Sequence, residues 1–308
     1  MRVAITGGTG FVGAATIDHL LSAGHDVAAL ARDPHKLRRA DDVRVVEGDL
    51  ENMPALTTVA AGADIFCHLA GVTHARDDKD YDAVNVEGAV RAAEAAAKAN
   101  AKFIHISSLS ARIPSVSPYA RSKASSETAV GAASGTNAWL ALRLPAIYGP
   151  GDFATLPYFK LIKSGWALEP KTDPPARASL IYVDDAAAAI AAAGEAAPGQ
   201  VYEVADERED GFAWSEIGML LGGALEKRAR PVRLPRPLIA AYHGIVRRSE
   251  RALGRTPSVR TGQINEFFHP DWVARQNLLS EAIQWRPATP LQEGFAKTAR
   301  WYQENGLL

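Results

Sequence analysis

The stretch that most constrains this chain lies at its amino end, where the apolar run Val3-Ala4-Ile5 leads into Thr6-Gly7-Gly8-Thr9-Gly10-Phe11-Val12-Gly13. The run reads as a strand, and Ala14 to Ala23 carry apolar residues at helical spacing up to Gly24, a natural C-terminal cap. Strand, glycine turn and helix therefore follow in that order. A helix N-terminus offers unpaired backbone N–H groups and the positive end of a dipole, both suited to a diphosphate. The stretch fits two spacings, Gly8-x-Gly10-x-x-Gly13 and Gly7-x-x-Gly10-x-x-Gly13, and either suits close approach: such a turn needs one residue with unusual backbone angles, one without a side chain in the way, and one that packs helix on strand. Taken alone, the spacing fits a tight connection that binds nothing equally well.

The next segment, His25 to Ala31, reads as a second strand and completes a βαβ unit. At its end, where NAD-preferring folds place an acidic residue for the ribose hydroxyls, stand Ala31 and Arg32. A carboxylate would repel a 2′-phosphate, whereas a guanidinium can hold it through paired, charge-assisted bonds. The expected cofactor is NADP, with NAD as the alternative. Lys36, Arg38 and Arg39 either add to that charge or line a solvated helix face. A third strand, Val43 to Glu47, ends in Gly48-Asp49-Leu50, where the Asp49 carboxylate would accept a bond from an adenine amine or hold a polar turn. The fourth, Asp64 to Ala70, ends in Gly71, and its Cys67 and His68 read as core residues rather than ligands or nucleophiles. No metal is expected.

An alanine-rich helix is predicted from Tyr81 to Asn100, containing Asn85-Val86-Glu87-Gly88, and a fifth strand, Lys102 to Ile106, delivers Ser107-Ser108-Leu109-Ser110. Tyr119 and Lys123 follow at the start of the next helix, four residues apart and so on one face. A phenol with its ordinary pKa of about 10 exchanges protons poorly at neutral pH. A neighbouring ammonium and an oxidised nicotinamide favour the phenolate and bring it toward the working range. Lys123 can also hold the nicotinamide ribose, and a serine hydroxyl at the preceding strand end would stabilise developing charge on a substrate oxygen.

Together these stretches resemble the extended branch of the short-chain dehydrogenase/reductase superfamily, the NAD(P)-dependent epimerases, dehydratases and reductases. The likeness rests on Thr6 to Gly13, Gly48-Asp49-Leu50, Leu69-Ala70-Gly71, Asn85 to Gly88, Ser107-Ser108 and Tyr119-x-x-x-Lys123. It extends through Leu142 to Gly151, which includes Pro145 and Ile147, and through Ile181-Tyr182-Val183-Asp184-Asp185. Thr289-Pro290-Leu291-Gln292 reads as a capping box with proline at the first position of a last helix reaching Tyr302.

The resemblance implies Tyr119 as proton donor or acceptor, Lys123 as its partner, Ser108 as the substrate-oxygen ligand and Asn85 as a weaker fourth member that serves chemistry or only fixes its helix. Ser107 or Ser110 could replace Ser108. It also implies cofactor contacts from Gly7, Gly10, Phe11, Val12, Gly13, Arg32, Asp49, Leu50, Leu69, Ala70, Gly71, Ser107, Tyr119, Lys123, Pro145 and Ile147. The chain departs from the sugar-nucleotide members at a short loop between Ser108 and Tyr119. It departs again at Ala178, which stands where those members often carry an arginine for a substrate diphosphate, with Arg177 one position off. Arg32-Asp33-Pro34 is instead similar to the branch's NADP-dependent reductases, those resembling dihydroflavonol reductases and hydroxysteroid dehydrogenases. The expected activity is hydride transfer between NADP(H) and a small-molecule carbonyl or secondary alcohol. The alternatives are a sugar-nucleotide epimerase or dehydratase, and a non-catalytic NADPH-binding subunit resembling an accessory subunit of respiratory complex I.

The expected fold is α/β, a Rossmann-type doubly wound parallel sheet with a smaller C-terminal substrate subdomain. Residues 1–151 with about 176–205 would form the dinucleotide-binding domain, and 152–175 with 206–308 the substrate-binding subdomain. The 308 residues suffice for both, and a net charge of -1 argues against nucleic acid as the main partner. The single cysteine excludes an internal disulfide, and a first strand starting at residue 2 leaves no room for a signal peptide, so a cytoplasmic location is expected. The partner is a small-molecule substrate, and the oligomeric state is open, a homodimer included. One span is strongly basic: Lys227, Arg228, Arg230, Arg233, Arg236, Arg247, Arg248, Arg251, Arg255 and Arg260 are opposed only by Glu250. Its helix, expected at 237–253, reads first as packed on the core with its charges in water, and second as drawn to an anionic substrate or a membrane surface.

Overall fold

The computed structural model describes residues 1–75, 77–254 and 261–308. The first half of the chain alternates strands and helices: β1 (Arg2–Thr6), α1 (Phe11–Ser22), β2 (Asp26–Ala31), β3 (Arg44–Glu47), α2 (Met53–Ala60), β4 (Ile65–His68), α3 (Asp78–Tyr81), α4 (Gly88–Lys98), β5 (Lys102–Ser108), α5 (Pro118–Ser134) and β6 (Trp139–Leu144). Shorter elements follow: β7 (Ala146–Tyr148), α6 (Leu156–Lys163), β8 (Trp166–Pro170), β9 (Arg177–Ala178), β10 (Leu180–Tyr182), α7 (Val183–Ala192) and β11 (Gln200–Glu203). The last are β12 (Phe212–Ala213), α8 (Trp214–Ala224), β13 (Arg230–Leu234), α9 (Arg236–Ala252), α10 (Gln263–Phe267), β14 (Asp271–Trp272), α11 (Leu279–Ala282) and α12 (Leu291–Glu304).

Two compact units emerge, one of residues 1–144, 186–204 and 276–285, the other of 145–185, 205–275 and 286–308. The boundaries depart from the expected ones: 145–151 and 176–185 cluster with the second unit, and 276–285 with the first. The return of 276–285 has a visible cause, because the Glu203 carboxylate accepts the Gln276 N–H at 3.0 Å and the Glu203 N–H donates to the Asn277 carbonyl at 3.2 Å.

The first unit holds one sheet in the order β11-β6-β5-β4-β1-β2-β3, parallel at every pairing. The order reverses between β1 and β4, with Thr6 beside His68, so the crevice for a ligand lies beyond the carboxyl ends of those two strands. The alanines expected on one helix face press α4 flat to the sheet: Ala89, Ala92, Ala93 and Ala96 are fully buried with Phe66 and Phe103. Their missing side-chain bulk is what lets backbone and sheet approach. The helix expected over 81–100 begins earlier, at α3, and passes through a π-helical turn, Asp82–Glu87, before α4. That wider turn coincides with Asn85, whose amide is spent inward as described below.

In the second unit β7 pairs with β10, β8 with β13, and β9 lies between β12 and β14. Its core is aromatic: Tyr148 and Phe295 rings are 4.8 Å apart, and Phe159 and Tyr302 rings 5.0 Å. The last helix differs from expectation in its start. Pro290 is the N-cap, outside α12, and no side chain of its own segment caps it. Carboxylates remote in sequence serve instead, Asp185 accepting the N–H groups of Ala288 and Thr289 and Glu207 that of Leu291. The helix α9 forms as expected, but of its expected apolar side Leu238, Tyr242 and Ile245 point to solvent and only Ile239 and Val246 are half-buried. Arg255 and Arg260 lie outside the described residues.

Candidate active site

Between β1 and α1 the glycines do what the spacing predicted. Gly7 has a φ of +78° and sits so close to the next loop that a Cβ there would lie 2.6 Å from the Ala70 nitrogen. A Cβ on Gly13 would overlap the Gly7 carbonyl, and Gly10 closes the turn by donating to that carbonyl at 3.0 Å. Gly10 is the N-cap of α1 and no side chain caps the helix, so the N–H groups of Phe11, Val12 and Gly13 have no partner within it. The cradle fits a pyrophosphate: its walls are backbone, and side chains would fill it. The loop after β4 is tied to the same turn, with Leu69 donating to the Thr6 carbonyl at 3.1 Å.

Arg32 follows directly on β2 and is exposed. Its neighbours are committed to carboxylates: Lys36 to Asp33 at 3.3 Å, Arg38 to Asp18 at 2.6 Å and Arg39 to Asp42 at 2.6 Å. Arg32 has no ion pair among the described residues. At the end of β3 the Asp49 carboxylate accepts the N–H groups of Glu51 and Asn52, both at 3.0 Å, so it holds the polar turn with Oδ1. Leu50 packs against Gly88, where a Cβ would meet its side chain at 2.6 Å.

The start of α5 explains how the phenol and the amine come together. Ser117 caps the helix by accepting the Ala120 N–H at 3.0 Å and Pro118 occupies the first position, which sets Tyr119 and Lys123 one turn apart on the same face. The half-buried Tyr119 ring meets the edge of the buried Tyr81 ring, centroids 6.1 Å apart. Lys123 is only 6% exposed and donates from Nζ to the Ile106 carbonyl at 2.6 Å. A Cβ built on Gly71 would lie 3.9 Å from that Nζ, which places the ammonium between the end of β5 and the loop leaving β4. Burial pulls its pKa down from 10.5 to about 8, against the opposing pull of Glu127.

The remaining members separate by role. Ser108 Oγ accepts from both the N–H and the hydroxyl of Ser110, at 3.2 and 3.0 Å, which leaves its own proton available to donate. Ser107 does not face the same task, since its hydroxyl donates to Glu127 at 2.5 Å. Asn85 is buried, accepts the Val72 N–H at 2.8 Å and donates to the Val72 carbonyl and to Ser122 Oγ. Its amide braces the loop after Gly71 against α5, the helix-fixing alternative of the two readings. Pro145 and Ile147 belong to the second unit, Ile147 within β7. Cys67 and His68 are core residues as read: burial pushes the thiol up to about 12, and burial with the Lys123 charge pushes the imidazole down to about 3.

Two charged neighbours of Lys123 escaped the motif reading, although each left a signal. Glu127 continues the Tyr119, Lys123 face by another four residues, and Arg143 is a charge inside the apolar strand β6. They meet in a bidentate pair, Nε to Oε1 at 2.9 Å and Nη2 to Oε2 at 2.7 Å, and Arg143 and Arg112 both approach the buried Glu203, at 3.9 and 3.6 Å.

A model of the NAD dependent epimerase/dehydratase family matches residues 3–205. The chain belongs to that family. It is 40% identical to a ceramide reductase of Caulobacter vibrioides, over 99% of this chain and 96% of the relative. It is 30% identical to a 2-alkyl-3-oxoalkanoate reductase of Stenotrophomonas maltophilia, over 65% and 67%. Among solved structures, the UDP-glucose 4-epimerase of Thermus thermophilus in complex with NAD superposes with a TM-score of 0.72 at 21% identity, covering 98% of this chain and 99% of that one, a likeness of fold. Family and reductase relatives together mark the chain as an NAD(P)-dependent oxidoreductase or epimerase.

Proposed function

We propose that this protein is an NADP-preferring reductase that moves hydride between the nicotinamide and a keto or secondary-alcohol carbon of a ceramide-class or similar long-chain lipid. The observation that carries the chemistry is the buried Lys123 ammonium at the end of β5, one helical turn from Tyr119 and beside the Ser108 strand end. The NADP(H), when bound, supplies or takes up the hydride. Tyr119 gives the proton to the carbonyl oxygen in reduction and takes it back in oxidation. Lys123 keeps the phenol's proton exchangeable, and Ser108 donates to the same oxygen. The glycine cradle would hold the diphosphate, and Arg32 the 2′-phosphate, being the cation of its cluster without a carboxylate partner among the described residues.

The lipid character of the substrate is supported by the ceramide reductase, similar over nearly the whole of both chains. Arg177 weighs against a sugar nucleotide, since its guanidinium donates to the carbonyls of Asp210 and Gly211 at 2.7 and 2.9 Å and so holds backbone rather than standing ready for a diphosphate. The retained Ser108, Tyr119 and Lys123 weigh against a subunit without turnover.

The reading is tested by following loss of reduced-nicotinamide absorbance with the keto form of a ceramide-class lipid in mixed micelles. Oxidation of NADPH is expected, and Tyr119→Phe is expected to lower kcat by about 10²–10⁴ with NADPH binding intact. Undiminished turnover by the phenylalanine variant would remove Tyr119 from the chemistry. Cofactor that stays bound through gel filtration and is never consumed would favour the epimerase reading.

A further inference from the structure

The helix α9 has two apolar aspects, and only one of them faces protein. At 3.6 residues per turn, Leu238, Tyr242 and Ile245 share an arc of about 60°. They are 62%, 64% and 67% exposed. Ile239, His243 and Val246 fall on the other side and are half-buried, so the helix is seated on its unit by one stripe while a second, of larger side chains, stands in water. A helix packed only for stability would turn such a stripe inward. The run continues past the helix end with Leu253, 67% exposed.

Charge accompanies this stripe. Arg248 is exposed on its flank, whereas Arg247 is half-buried on the opposite side of the helix. The strand leading into the helix brings Arg230, preceded by Lys227 and Arg228. None of these five makes an ion pair among the described residues, whereas Arg233 pairs with Glu169 at 3.2 Å and Arg236 donates to Asn265 at 2.5 Å. Unpaired cations beside exposed leucine, isoleucine and tyrosine match the two layers of an anionic bilayer surface, phosphate outside and acyl chain beneath. A protein partner fits less well, because the middle of a protein interface is depleted of charge whereas here arginine borders the apolar stripe directly. Among the described residues no helix is long and apolar enough to cross a membrane, so the contact is one of lying on the surface.

We infer that α9 and the basic segment before it form a docking surface for an anionic lipid bilayer, with Leu238, Tyr242 and Ile245 inserted and Arg248, Arg230, Arg228 and Lys227 on the phosphates. The inference goes beyond the reductase reading and holds whichever carbonyl is reduced, because binding to a membrane needs no turnover.

The test is cosedimentation of the full chain with vesicles of phosphatidylglycerol mixed with phosphatidylcholine, against vesicles of phosphatidylcholine alone. The protein is expected to sediment with the first and not the second, less so as salt rises. Leu238→Gln, Tyr242→Gln and Ile245→Gln combined are expected to weaken the partition at least about tenfold. Arg230→Gln with Arg248→Gln should weaken it by about fivefold per charge. Circular dichroism and NADPH binding, unchanged in both variants, show that the fold is intact. Absence of sedimentation with the anionic vesicles, or equal sedimentation of the triple variant, overturns the inference. So does a wild-type dimer by light scattering that becomes monomeric in the triple variant, which would assign the stripe to a second copy of the chain.

Discussion

Replacing Lys123 by methionine separates what this residue costs the fold from what it gives the site. An amine whose pKa falls from 10.5 to about 8 on folding carries its charge in the native state at an expense of about 3 kcal/mol at neutral pH. Methionine has a similar unbranched length and no charge, so the variant escapes that expense. It leaves the Ile106 carbonyl without its 2.6 Å donor, a loss of about 1–2 kcal/mol. The expected balance at pH 7 is a variant more stable than the parent by about 1–2 kcal/mol, and without turnover. The pH dependence is the sharper prediction. Unfolded lysine keeps its proton up to 10.5 and the folded one releases it from about 8, so across that window the unfolded parent binds more protons and the parent gains stability as pH rises. The variant does not gain, so its advantage shrinks and then reverses. Urea denaturation of both proteins without cofactor, at pH 7 and above pH 10, measures this directly. A methionine variant less stable than the parent at pH 7, or a difference that does not move with pH, would refute the assignment of Lys123 as a charge held against its burial.

The same amine is expected to set the alkaline limit of activity. Turnover is expected to need its ammonium form, so kcat/KM should fall as pH rises through about 8, and Glu127→Gln, which leaves the Arg143 charge uncompensated beside the amine, should bring that fall to lower pH; a limb that stays in place refutes the coupling. Arg32→Ala should raise the Kd for NADPH about 10–100-fold and change that for NADH by less than about threefold, and an equal change in both would show that Arg32 does not hold the 2′-phosphate.

The parts of this chain that could be read in advance are those where backbone geometry dictates residue type. Gly7 and Gly13 admit no side chain, the alanines of α4 admit no large one, and Tyr119 and Lys123 share a face by helix period alone. What stayed hidden depends on partners far along the chain. The expected cap at Thr289 gives way to Asp185 and Glu207, which reach the start of α12 from 104 and 84 residues earlier in the chain, a pairing that no local spacing encodes. The domain boundary shifts for a like reason, since Glu203 draws 276–277 back to β11. The side of α9 that faces water was misjudged because Ile239 and Val246 alone suffice to seat it, and periodicity marks both apolar stripes without saying which is covered.

The buried charges beneath the site also decide why Lys123 settles where it does. Glu127 lies one turn from the amine and raises its pKa, yet burial prevails. The reason is that Arg143 already occupies both Glu127 oxygens, and Ser107 donates to one of them as well. A carboxylate so engaged presents little net field to a second cation. Arg143 in turn shares Glu203 with Arg112, which closes two guanidiniums against two carboxylates and leaves the set neutral. His68 and His105, ring centroids 5.7 Å apart in the sheet, are both held uncharged by burial and by Lys123 itself. Desolvation thus outweighs the Glu127 charge in bringing the amine down to about 8, the range in which the proposed proton exchange at Tyr119 is best supported.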